Sequence, residues 1–290
     1  MTIKIWMFIA ALLLVASPPA LAQRYDPNTD DESFSDYMAW MWEGNFRPFL
    51  EASYGVTQPQ NNLVTDDFTS LGLAEAKLGY SEIESYKGAI HRLDERYVFA
   101  SKIDKDLRYS DPDSGGIDTE YTRFGFGNRL GYGYKIWKTR LLLYNQNALV
   151  WTKLNHDPAT TSSAEDQEVM ERYGDTYRFG SSAAAGVKFD VFRSFYAAAS
   201  VEGTVIYPRT VFWEWLGSAM IQYGVLGALS TFSERIVDSS PVLGPLFYFV
   251  LKNGASYLFY KAYQDDMNWP FTSETPQTLE SFTLSAGIEF

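Results

Sequence analysis

The chain has no cysteine and only two histidines among its 290 residues. Without cysteine no disulfide can staple the fold, so stability must come from strand pairing and burial. A lipid anchor on a cysteine at a processed terminus is excluded for the same reason. His91 and His156 offer little to a metal centre or a Ser-His-acid triad, which need groups converging within coordination or hydrogen-bond reach. His156-Asp157 could join Glu165 or Asp166 in a loop ion site, although a solvated loop is the simpler reading. Basic residues are also scarce, with 24 Lys and Arg against 36 Asp and Glu and a formal charge of −12. That balance argues against nucleic acid as a partner. Gly125-Phe126-Gly127 lies inside an alternating stretch rather than at a helix start, so it is no nucleotide loop. Asn61-Asn62-Leu63 lacks the Ser or Thr of a glycosylation site.

Aromatic residues and glycine are plentiful instead: 20 Tyr, 20 Phe, 8 Trp and 21 Gly. Interfacial aromatic girdles and small lumen residues raise both counts in membrane barrels. At the amino terminus, Lys4 supplies a positive region, Ile5 to Val15 an apolar stretch too short to span a bilayer comfortably, and Ala20-Leu21-Ala22 a small-residue cleavage site. Residues 1–22 therefore read as a signal peptide that leaves Gln23 first and delivers the chain to the periplasm.

The last ten residues, Ser281 to Phe290, alternate strictly. In a strand this puts Phe282, Leu284, Ala286, Ile288 and Phe290 on one face and Ser281, Thr283, Ser285, Gly287 and Glu289 on the other. An apolar outside and a small, polar inside is what a lipid-embedded barrel wall needs. This strand resembles the terminal strand of bacterial outer-membrane β-barrel proteins, which end on Phe so that the assembly machinery can engage it. The resemblance implies an outer-membrane location, with membrane lipid and the barrel assembly machinery as partners and Phe282, Leu284, Ile288 and Phe290 as the assembly signal. It carries no activity.

Alternation marks about eight strands in residues 46–290. The first, Phe46 to Val56, sets Leu50, Ala52, Tyr54 and Val56 against Arg47, Glu51 and Ser53. The second sets Ala74, Ala76, Leu78 and Tyr80 against Glu75, Lys77 and Gly79. The third, Arg96 to Asp104, opposes Tyr97, Phe99 and Ile103 to Arg96, Lys102 and Asp104. In the fourth, Phe124, Phe126, Leu130, Tyr132 and Tyr134 alternate with Arg123, Arg129 and four glycines, and Asn128 alone breaks the apolar row. The fifth, Arg140 to Trp151, has an ambiguous register. Tyr177 to Phe189, Phe195 to Tyr207 and the closing strand complete an even number, giving an all-β transmembrane barrel of about eight antiparallel strands. The short connections at Ile136-Trp137-Lys138 and Asp190 to Arg193 belong on the periplasmic side, and long polar ones, Lys105 to Glu120 and Lys153 to Asp175, on the outer side; Ser81 to Glu95 is long for an inner connection unless a turn at Tyr86-Lys87-Gly88 lengthens the strands beside it.

Eight strands leave a bore that side chains fill. The inward set holds Arg47, Glu51, Glu75, Lys77, Arg123, Arg129, Arg178, Lys188, Glu202 and Glu289. Because an unpaired charge there would be costly, a network of internal ion pairs is expected; a gated polar path or proton relay is the functional alternative.

Two segments exceed a minimal barrel. In residues 23–45, Ser35 can cap a short amphipathic helix over Asp36 to Trp42, with Tyr37, Trp40 and Met41 on one face. Residues 209–277 change to a helical pattern. Val211 to Ser230 is apolar nearly all round except for a stripe of Glu214, Ser218 and Gln222, and Ser240-Pro241 can open a second helix that runs to Tyr263. This helical hairpin, with Gly224, Gly227 and Ala228 permitting close helix contact, must be covered. It could plug the barrel mouth, lie beside the wall in the outer leaflet, or dock on a partner protein. No local His-Ser pairing suggests an enzyme, and no cofactor is implied. The leading functional reading is a non-enzymatic barrel with a structural or surface-interaction role, its hairpin contacting lipid or a partner. Gated transport of a small or apolar solute and a membrane-lipid-modifying enzyme stand behind it.

Overall fold

The computed structural model describes residues 46–109, 116–160, 163–174, 176–191 and 194–290. The signal peptide expected at 1–22 and the short helix expected over Asp36 to Trp42 fall outside the described residues. The rest forms one closed barrel of eight strands in sequence order: β1 Arg47–Gln60, β2 Leu71–Lys87, β3 Ile90–Asp104, β4 Thr119–Ile136, β5 Thr139–His156, β6 Tyr177–Asp190, β7 Phe195–Ile206 and β8 Gln277–Glu289. Every pairing is antiparallel, and β1 closes on β8 with Glu51 opposite Gly287. Followed the other way round, the ladders lead from Glu51 through Lys77, Phe99, Gly125, Val150, Gly180 and Ile206 to Gln277, ten residues short of Gly287. This stagger tilts the strands and closes the sheet with no free edge.

The strands form where side chains alternate between two environments. Leu50, Tyr54 and Val56 of β1 and Phe282 and Leu284 of β8 are exposed on the outer wall, while Glu51, Ser53, Ser281 and Ser285 are buried inside. The fold is a transmembrane barrel of the outer-membrane type, its wall apolar toward lipid and its bore polar. At the tip of the β2–β3 hairpin Gly88 takes φ +56°, a left-handed backbone that costs glycine nothing. That turn joins β2 to β3 through the stretch Ser81 to Glu95, which extends both strands beyond the apolar band.

The third strand reverses the expected faces. Tyr97, Phe99 and Ile103 are buried in the bore, and Arg96, Val98, Ala100 and Lys102 face outward. The physical reason is size compensation. Tyr97 stands opposite Gly127 and Phe99 opposite Gly125, and an added Cβ on Gly127 would lie 2.6 Å from the Tyr97 hydroxyl. The bore takes aromatic rings where β4 supplies glycine, so apolar character does not mark the outer face there.

Among the described residues three α-helices join the strands: α1 Ala164–Glu171 in the β5–β6 connection, and α2 Phe212–Ser239 and α3 Gly244–Tyr263 between β7 and β8. The helix α2 runs 28 residues without a break, past the expected stop near Ser230. Within it the Ser230 hydroxyl bonds back to the carbonyl of Leu226 at 3.0 Å, one turn earlier, so its polar group is met inside the helix. The second helix opens at Gly244 with Pro245 in its first turn, not at Ser240-Pro241. The close approach at the tip comes from Gly244, where a Cβ would lie 2.4 Å from Cα of Val237, whereas Gly224 and Gly227 face open space.

Candidate functional site

The bore is built around one continuous set of charges. Arg129 of β4, wholly buried, donates from Nη1 and Nη2 to the two oxygens of Glu51 at 2.7 and 2.6 Å, a bidentate pair, and from Nη1 to Glu95 at 3.2 Å. Its Nε donates to Gln146 Oε1 at 2.8 Å, and the guanidinium lies 4.9 Å from the Tyr144 ring centroid. Lys77 joins Glu51 to Glu75 at 3.2 and 2.6 Å. Arg123 joins Glu75 to Glu202 at 3.4 and 3.0 Å, and Lys188 joins Glu95 to Glu289 at 2.6 and 2.5 Å. Each carboxylate therefore meets a cation and each cation meets two carboxylates, the condition under which charge is tolerated away from water.

Eight of the ten lumen residues read from sequence, namely Glu51, Glu75, Lys77, Arg123, Arg129, Lys188, Glu202 and Glu289, meet in this network. Arg47 and Arg178 stand apart from it at opposite ends of the barrel. Arg47 lines an open polar vestibule of about 600 Å³ at the inner mouth, together with Ser81, Glu82, Glu84, Arg140 and Glu289. Arg178 donates to the carbonyl of Arg172 near the outer rim. Glu95, which bridges Arg129 and Lys188, was missed; once Tyr97 and Phe99 are placed inside, parity alone puts it in the bore.

Aromatic rings fill what the charges leave. Tyr196 donates to Glu51 at 3.0 Å and packs over Gly287, where a Cβ would fall 2.2 Å from its ring. Tyr144 has the same relation to Gly186. Toward the outer mouth the bore turns apolar: Leu71, Leu73, Ile103, Tyr121, Leu154, Ile206 and Leu279 form one buried cluster with Phe68, Ile117, Val169 and Met170 of α1, and Tyr173 just after it. Ser163 caps α1, and buried Asp166 accepts from the backbone amides of Thr65 and Asp66 at 3.1 and 3.2 Å, tying the β1–β2 loop to this lid. In the same outer loops the Asp118 carboxylate bonds Lys105 and raises its ammonium above the usual range. The outer mouth is thus closed by loop residues and α1.

The hairpin of α2 and α3 lies on the opposite side of the wall. Gln146 points into the bore at Arg129, so Asn145 points outward. It donates to Asn253 Oδ1 and Ser256 Oγ of α3 at 2.8 and 3.2 Å. Asn147, in the same outward row, donates to Asn145 Oδ1 at 2.8 Å. Likewise Glu202 points inward and Gly203 outward, and the Tyr260 ring covers Gly203 so closely that a Cβ would lie 2.8 Å from it. The hairpin reaches from Trp215, whose ring centroid is 5.3 Å from that of Phe179 near the outer rim, down to Asp238, which accepts from Tyr86 at 3.0 Å and Lys87 at 2.8 Å beside the inner turn.

The polar stripe of α2 faces α3 and the loop after it. Ser218 donates to the carbonyl of Trp269 at 2.6 Å and lies 3.1 Å from the Tyr263 hydroxyl, Tyr263 donates to Gln222 at 3.1 Å, and Asn268 donates to Glu214 at 3.5 Å. Deeper in the seam Lys252 donates to Ser230 Oγ at 2.7 Å and the Leu226 carbonyl at 2.9 Å. With its polar groups turned inward, the hairpin presents Trp213, Met220, Phe232, Leu246, Phe247, Val250 and Leu258 on its exposed side. No helix among the described residues is long and apolar enough to cross a membrane.

His91 is the second residue of β3, beside the inner turn, and His156 ends β5 at the outer rim, so the two do not converge. Among the described residues no group of three or more His, Asp and Glu side chains could hold a metal ion.

No family model matches the chain, and no curated protein matches it. Among solved structures it is similar to neisserial surface protein A, with 8% identity, 84% of this chain and 97% of that chain covered, and a TM-score of 0.39. It is also similar to Ail, the attachment invasion locus protein of Yersinia pestis, in complex with the heparin analogue sucrose octasulfate (9% identity, 84% and 99% covered, TM-score 0.36). The assignment as an outer-membrane-type barrel rests on the strand pairing and two-faced wall of this chain itself.

Proposed function

We propose that the protein is a non-enzymatic outer-membrane barrel with a structural or surface-interaction role, whose helical hairpin works in the plane of the lipid. The observation that carries this reading is the seat of α3 on the outward row of β5, through Asn145 to Asn253 and Ser256. A hairpin held there leaves its apolar side toward whatever surrounds the barrel, and for a membrane barrel that surrounding is acyl chain or a neighbouring membrane protein. The transport reading is weakened by the bore, which holds paired charges along its middle and an apolar cluster at its outer mouth. The barrel assembly machinery is the partner that the closing strand, ending at Phe290, would engage.

Because the chain lacks cysteine, single cysteines at Val250 and Leu258 give a clean test. In reconstituted vesicles both should resist a water-soluble maleimide and react with a lipid-partitioning thiol reagent, as a cysteine at Leu284 should. Reaction with the water-soluble reagent as fast as at Leu63 would overturn lipid contact. Protection from both reagents in native membranes, lost on purification, would move the reading to a protein partner.

A further inference from the structure

Between α3 and the outer wall runs a groove of about 210 Å³, floored by Ala183, Ala185, Val201 and Gly203 and walled by Tyr257 and Tyr260. Its floor is recessed because β6 and β7 carry small residues there while the hairpin stands proud on one side. From Asn253 to Lys261 the groove follows α3 for eight residues, about 12 Å at the helical rise. At its outer end Lys261 and Glu280 pair at 3.3 Å, each about 40% exposed, with the Lys261 ammonium 5.6 Å from the centroids of both Tyr257 and Tyr260. Tyrosines at that level, with Trp215 and Trp269 nearby, match the aromatic belt at a membrane interface.

We infer that this groove holds one acyl chain of a phosphoethanolamine lipid, with the headgroup spanning the Lys261–Glu280 pair. The inference rests on the hairpin lying in lipid, as proposed above. A recess with an apolar floor, opening along the wall toward acyl chains, is filled by an acyl chain, because its polar lining sits at the two ends and is already paired, Asn253 and Ser256 with Asn145 and Lys261 with Glu280. The mouth selects the headgroup by charge complementarity. Lys261 donates to the phosphate oxygens, and Glu280 accepts hydrogen bonds from a primary ammonium, a donor that phosphoglycerol lacks and a trimethylammonium group does not offer.

The full-length protein, reconstituted in phosphatidylcholine vesicles, should be photolabelled with trace acyl-diazirine phosphatidylethanolamine, phosphatidylglycerol or phosphatidylcholine and the sites mapped by peptide mass spectrometry. The phosphatidylethanolamine probe should label Tyr257 to Lys261 and Val201 to Gly203 at least fivefold more than the Tyr54 and Leu284 wall, and at least threefold more than the other two probes do. Ala185→Phe, which fills the groove, and Lys261→Gln, which leaves its floor intact, should each remove the enrichment while heat-modifiable gel mobility stays that of the folded barrel. Uniform labelling of the wall and of Leu246 to Leu258 by all probes would overturn the groove proposal and leave the hairpin in lipid. Absence of any label on α3 would overturn both.

Discussion

Asn145 of β5 and Asn253 of α3, 2.8 Å apart, join a strand's lipid-side row to a helix that the same chain supplies. An outward asparagine in a barrel wall would leave an amide facing hydrocarbon, where each unmet polar group costs several kcal/mol. The hairpin meets that amide and covers the alanine and glycine surface beside it. Sequence and packing agree here: the outward asparagine Asn145 of β5 stands where α3 lies against the wall.

The first prediction measures this contact. A double-mutant cycle of Asn145→Ala and Asn253→Ala, read by urea unfolding in detergent, should give a coupling energy of about 1 kcal/mol, in the range of hydrogen bonds in membrane proteins. A cycle that closes at zero would mean that this pair adds nothing to the seat of the hairpin.

The lumen network gives the second. Replacing Arg129 by Met leaves the buried Glu51 and Glu95 without their shared cation and should destabilise the barrel by about 3–5 kcal/mol. Adding Glu51→Gln to Arg129→Met should recover part of the loss, because one uncompensated charge is removed. Neither variant should open a steady conductance in planar-bilayer recording, since the apolar cluster around Met170 and Tyr173 still closes the outer mouth.

How much of this was legible in the sequence depends on which residues could stand in only one place. Strands such as β4 and β8 read correctly because each carries glycine, serine or charge on one face and aromatic or aliphatic residues on the other. The third strand did not, because Tyr97 and Phe99 are as apolar as any lipid-facing residue and only the glycines of β4, on a different strand, show that the bore has room for them. Glu95 was lost with the same inversion. The outer apolar lid was invisible because Leu71, Ile103, Leu154, Val169 and Met170 come from separate strands and a loop helix, with no shared periodicity. The hairpin's existence was plain from its 3.6-residue pattern. Its location was not, since an apolar helix face reads alike against a lumen, a lipid or a partner; the outward pair Asn145 and Asn147 was the available clue, hidden by the ambiguous register of β5.

The third prediction concerns assembly. The amide of Phe290 donates to the carbonyl of Pro48 at 3.0 Å, so the last residue both extends the outward row of Phe282, Leu284 and Ile288 and helps close β8 on β1. Deleting Phe290 should lower the yield of folded, heat-modifiable barrel in membranes severalfold, more than removing a polar outer-loop segment of similar size. Equal folded yields would remove Phe290 from the assembly signal.

The last prediction concerns the hairpin as a whole. Replacing Val211 to Tyr263 by a short Gly/Ser linker removes α2 and α3 but none of the eight strands, and the charge network and outer lid make no contact with either helix that their closure needs. Ion leakage through the reconstituted barrel should therefore stay at the level of the intact protein, the outcome opposite to that for a hairpin acting as a plug. Stability should fall, because the deletion turns Asn145 and Asn147 toward hydrocarbon and exposes a wall whose alanines and Gly203 give lipid little to pack against. Restoring apolar bulk with Asn145→Leu in the deleted protein should then raise stability, whereas the same substitution in the full chain should lower it by stranding Asn253. That reversal of sign, read by urea unfolding of the four proteins, is the signature of a hairpin seated on the outside of the barrel; the same sign in both backgrounds would count against it.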